Sequence, residues 1–242
     1  MEFFFISVFV LSCIMLAVAG DWLVRSLHLI ARYFGWQEFI AAFFIMSVAV
    51  SVPELFIGIT AAFSGIPELS FGNIVGANIV HFTLALALAT IVLGSLKFET
   101  TNIRLSLDFT ILFAILPFLL MIDGALSQRD GIILMSAVFI YVVWVFSKRE
   151  RFSKHYQSFI SNDNSFFSPI EKFWQFLNDF GVFILGVAVL LLSAKGMVES
   201  AIFFANEFQI SLVTVGVFIV GLGTALPETY FAVAAARRGN QW

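Results

Sequence analysis

A chain of 242 residues that is 60% hydrophobic and only 12% charged, with a mean hydropathy of +0.99, carries more apolar surface than a soluble domain of its size can bury. That composition marks a membrane protein, and a net charge of -3 gives nucleic acid nothing to bind. One cysteine, Cys13, cannot form an internal disulfide, and its apolar neighbours make it core or lipid-facing filler.

The amino-terminal run from Phe3 to Gly20 ends near Ala17, Val18 and Ala19, which look like a signal-peptide cleavage site. Glu2 in place of a basic leader, the length of the run and a counterpart later in the chain argue for a retained helix. About 20 apolar residues cross the hydrocarbon core. On that measure seven membrane helices are predicted, at roughly 3–33, 38–63, 72–94, 104–122, 131–147, 180–206 and 211–236. The first is long enough to tilt, and Arg25 and Arg32 can snorkel from its end.

Inside the second helix Pro53 precedes Glu54. The proline cannot donate to the Ala49 carbonyl, so a break in the helix is expected. A carboxylate within the membrane costs about 2.5–3.5 kcal/mol even on a lenient scale. Together they suggest a cation site. The polar stretch 148–178, opening Lys-Arg-Glu-Arg, reads as a connector without a soluble domain of its own. It divides a first repeat, 1–147, from a second, 179–242.

Basic residues set the expected orientation. With the amino terminus outside, eleven Lys and Arg residues from Arg25 to Arg238 lie on the cytoplasmic side, connector included, against Arg129 alone outside. Shifting the chain by 174 positions lays Pro53 and Glu54 on Pro227 and Glu228, Ser26 on Ser200, Phe34 on Phe208 and Gly65 on Gly239. Asp21 falls on Lys195 by the same shift, and interfacial anchoring is the plainer role for both. Five helices separate equivalent points, so the second copy enters the membrane upside down. Inverted repeats meeting near the midplane are the architecture of secondary transporters.

Ser51-Val52-Pro53-Glu54, Gly72-Asn73-Ile74-Val75-Gly76-Ala77-Asn78 and Gly223-Thr224-Ala225-Leu226-Pro227-Glu228 resemble the two alpha-repeats of the cation/calcium exchanger superfamily. The resemblance implies an all-α, polytopic inverted-repeat fold. It also implies a transporter with no cofactor, not an enzyme, moving Ca2+ against Na+ or H+ by alternating access in a lipid bilayer, most simply the cell membrane. Calcium takes six to eight oxygen ligands. The implied set is the carboxylates of Glu54 and Glu228, the carbonyls near Val50 and Thr224, and Ser51, Asn73, Asn78 and His81. His81 stands where many members carry an asparagine or aspartate, and imidazole titrates near neutrality. A structural histidine in a helix interface is the plainer alternative.

Val50, Ala77 and Ala225 stand where the family carries hydroxyls, which favours a calcium/proton exchanger as the alternative within the class. The chain stops at Trp242, where a second Gly-Asn motif and the last three helices are expected. A fragment, a truncated product or one part of a split transporter completed by a second chain would account for that. A non-transporting membrane binding or assembly protein is the alternative from another class.

Overall fold

The computed structural model describes residues 1–33, 38–94, 100–147 and 169–237, and every regular element in them is helical. Among the described residues seven helical rods follow one another, as the hydropathy predicts. They are α1 (Glu2–Tyr33), α2 (Glu38–Phe63), a rod of α3 (Pro67–Val80) and α4 (Leu86–Leu93), α5 (Thr100–Leu120), α6 (Gln128–Ser147), α7 (Pro169–Phe208), and a rod of α8 (Leu212–Val215) and α9 (Gly221–Arg237). Among the described residues, 2–27, 67–93, 174–208 and 212–230 are long and apolar enough to cross a membrane. Large apolar side chains such as Phe3, Ile91, Met135 and Leu192 face outward, as a hydrocarbon solvent allows.

Two rods start five or more residues earlier than the sequence suggests. α3 begins at Pro67, not near 72, because proline fits the first helical position and Glu68 favours the positive end of the helix. The turn before it is a Schellman closure. Gly65, at φ +74, donates to the Ala62 carbonyl and Ile66 donates to Ala61. α7 begins at Pro169, not near 180, so residues 169–178 of the expected connector are helical. Phe176, Phe180 and Phe183 stack along one face, and Phe176 lies 4.6 Å from Tyr33 at the end of α1. That aromatic ladder holds as helix a stretch whose average hydropathy the intervening polar residues dilute.

The chain divides into two compact units, residues 1–95 with 163–241, and residues 96–162. In the larger, α1 and α7 lie along each other with Leu16, Ala19 and Leu23 packed against Leu190, Ala194, Met197 and Ala201. Lipid is as apolar as leucine, so such a contact holds by close packing, for which small residues are needed. Gly196 meets the Ser12 hydroxyl so closely that an added Cβ would stand 2.6 Å from it. Val52, Ile57 and Ala61 of α2 and Leu69 of α3 complete this core. In the smaller unit, Phe109 and Phe113 of α5 pack with Tyr141 and Trp144 of α6 at ring separations of 4.5–5.5 Å.

Candidate cation site

Three stretches of the larger unit carry the polar residues: α2 with Ser51 and Glu54, α3 and the π turn that follows it with Asn73, Asn78 and His81, and α9 with Thr224 and Glu228. The breaks expected at the prolines are absent. α2 runs through Pro53 and α9 through Pro227 without leaving the helical path. A proline removes one donor, and a transmembrane helix packed among others can keep its path across that gap. The irregularities lie elsewhere. His81–Ala85 and Gly216–Val220 are π-helical turns, one continuing α3 into α4 and the other joining α8 to α9. At the first, the His81 amide is shared between the Ala77 and Asn78 carbonyls. Each such turn inserts one residue, which rotates the side chains beyond it, and such turns favour functional positions.

Glycines bring α3 onto the seventh rod. A Cβ on Gly72 would strike the Val213 carbonyl, and one on Gly76 would strike Val217. One on Gly216 would stand 2.9 Å from the Asn73 nitrogen, and one on Gly221 2.7 Å from the Ala77 nitrogen. Backbone touches backbone at this crossing. It places Asn73, fully buried, against Thr224, whose hydroxyl donates to Asn73 Oδ1 at 3.2 Å across 151 positions of sequence. Eight residues further on, where the π turn begins, His81 Nε2 lies 2.5 Å from Glu228 Oε2. Both Glu54 oxygens are buried without a hydrogen-bond partner, and Glu228 and His81 lie within electrostatic reach of them.

Two cavities flank this group. One, about 670 Å³, is lined by Ser51, Glu54, Gly58, Asn78 and His81 among others. The second, about 170 Å³, is lined by Asp21, Pro53, Thr224, Pro227 and Glu228. The structure therefore gathers Glu54, Glu228, His81, Thr224 and Asn73, and sets Ser51 and Asn78 on the wall beside Glu54. Each carboxylate of the pair lines its own cavity, with His81 bridging them. Val50 is helical, but its side chain lies outside the described residues. Among the described residues no three His, Cys, Asp or Glu side chains form a ready metal centre, so a cation here would draw on hydroxyl, amide and carbonyl oxygens as well. Neither the π turns nor the facing glycines Gly216 and Gly221 were foreseen. The glycines are visible as a small-residue spacing on the seventh rod; the π turns carry no residue signature.

The profile described as sodium/calcium exchanger protein matches residues 4–147 and 178–241. An uncharacterized membrane protein of Methanocaldococcus jannaschii is 29% identical over 233 residues, covering 96% of this chain and 72% of its own. A solved sodium-calcium exchanger shares 27% of residues at a TM-score of 0.52, over 98% of this chain and 74% of that one. A crystal structure of an H+/Ca2+ exchanger has the same fold, with a TM-score of 0.66 at 18% identity. The alignment takes in 97% of this chain and 60% of that one.

Proposed function

This chain belongs to the sodium/calcium exchanger protein family, and we propose that it carries Ca2+ across a membrane in exchange for Na+ or H+ by alternating access. The observation that carries the proposal is the carboxylate of Glu54, buried with no donor on either oxygen beside a cavity lined by Ser51, Asn78 and His81. A buried charge is retained only when something pairs with it, and a hard divalent cation suits carboxylate, hydroxyl and amide oxygens. Glu228, the Thr224 hydroxyl and the carbonyls near Val50 and Thr224 complete the proposed set. The amino terminus is placed outside the cell membrane and the segment 148–178 in the cytoplasm, on the asymmetry of basic residues.

A calorimetric titration of the purified chain in nanodiscs tests the site. Ca2+ should bind, and Glu54→Gln should weaken it about a hundredfold or more, the weight of a buried charge that loses its partner. Unchanged binding in that variant ends the proposal. A second reading, protons as the exchanged ion, is favoured by one contact. The His81 ring occupies the Glu228 oxygen that a cation would need.

A further inference from the structure

Resting on the cation site proposed above, we propose that Asn73 is a positioning residue: it acts on the cation through the Thr224 hydroxyl and does not coordinate it. Asn73 lies on neither of the two cavities and is fully buried, whereas Ser51, Asn78 and His81 all reach the wall beside Glu54. Its Oδ1 stands 3.2 Å from the Thr224 hydroxyl oxygen, and the Gly221 carbonyl stands 3.2 Å from the same atom. Both neighbours are acceptors. A threonine hydroxyl has one hydrogen and two lone pairs, so that hydrogen is held toward Asn73 and Gly221.

The consequence falls on the cavity side. Thr224 lines the cavity it shares with Glu228 and stands beside Glu54. A hydroxyl free to turn would give its hydrogen to the nearby carboxylate and present a donor to any arriving cation. With the hydrogen given to Asn73 Oδ1, the hydroxyl oxygen keeps a lone pair for a cation, and Glu54, which lies within reach of Thr224, carries no hydrogen bond on either oxygen here. The crossing holds the backbone beneath that contact: a Cβ on Gly216 would stand only 2.9 Å from the Asn73 backbone nitrogen, so the helix carrying Asn73 is seated directly on the rod that carries Thr224.

A double-mutant cycle on Ca2+ affinity tests this, with calorimetry on the wild type, Asn73→Leu, Thr224→Val and the double variant in nanodiscs, and thermal melting recorded alongside. Each single variant should weaken Ca2+ about tenfold, the weight of one polar ligand, and the double variant no more than either. Thr224→Ser, which keeps the hydroxyl, should bind as the wild type does. Additive losses, about a hundredfold in the double variant, would mean that Asn73 holds the cation itself and would overturn the proposal. A lowered melting temperature with unchanged affinity in Asn73→Leu would overturn it too, leaving only a brace between helices. Should Asn73→Leu fail to fold, Asn73→Ala runs through the same cycle. Absence of Ca2+ binding in the wild type is a different result, since it removes the site before any variant is compared.

Discussion

His81 and Glu54 divide the work of the site unequally. Glu228 is met by the imidazole, while Glu54, its counterpart in the first repeat, has both oxygens bare. A cation arriving between them would gain Glu54 at once but would have to displace the ring from Glu228. If that ring carries a proton, Ca2+ and the proton compete, and by linkage each expels the other. An outward-directed proton gradient across vesicles should then drive Ca2+ entry, and His81→Asn should weaken that drive. Uptake driven by a sodium gradient alone, with a pH profile that His81→Asn leaves untouched, would return His81 to a structural role. The charged residues were legible because a carboxylate or imidazole inside an apolar run is expensive and so calls for a partner. Asn73 was not legible in its role. An asparagine on a helix can turn toward a cavity or toward a neighbouring helix, and only the contact with Thr224 shows which.

At the level of elements, the glycine crossing between α3 and the seventh rod decides where the polar groups meet. Gly72 and Gly76 face Gly216 and Gly221 with backbone against backbone, so an added methyl group has no flexible side chain to push aside. Gly76→Ala should therefore destabilise the protein by about 1–3 kcal/mol, the usual cost of overpacking, and should also weaken Ca2+ binding by parting Asn73 from Thr224. Gly181→Ala is the matched control. Nothing lies within 4 Å of its added carbon in the middle of α7, and exchanging glycine for alanine in a helix gains up to about 1 kcal/mol. Melting curves in one detergent compare the two, and equal shifts would mean that the crossing is softer than its geometry. All seven rods were visible as apolar runs in the sequence, and among the described residues four of them have the length and apolarity of a membrane span. The prolines misled, since a helix packed among others absorbs a missing donor, while the π turns at His81–Ala85 and Gly216–Val220 have no residue pattern that announces them.

Across the larger unit the 174-residue repeat reaches further than its motifs. Asp21 pairs with Arg25 at 2.9 Å on α1, and Lys195 pairs with Glu199 at 3.8 Å on α7, which are the same two repeat positions with the charges exchanged. The sequence shows the equivalence of Asp21 and Lys195; that each closes an ion pair one turn on, and that Asp21 lines the cavity holding Glu228, needed coordinates. The inversion expected from the sequence would set these pairs toward opposite faces of the membrane. The proposed orientation rests on the basic residues, eleven against one, because Lys and Arg near helix ends are preferentially kept on the cytoplasmic side. Single cysteines at Ser153, in the basic segment, and at Ile66, in the turn between α2 and α3, would report the two sides once Cys13 is replaced by alanine. A membrane-impermeant thiol reagent added to intact cells should label Ile66→Cys and leave Ser153→Cys unmodified until the membrane is opened. Labelling of Ser153→Cys from outside, with Ile66→Cys protected, would turn the protein over and place the Asp21 pair on the outer side.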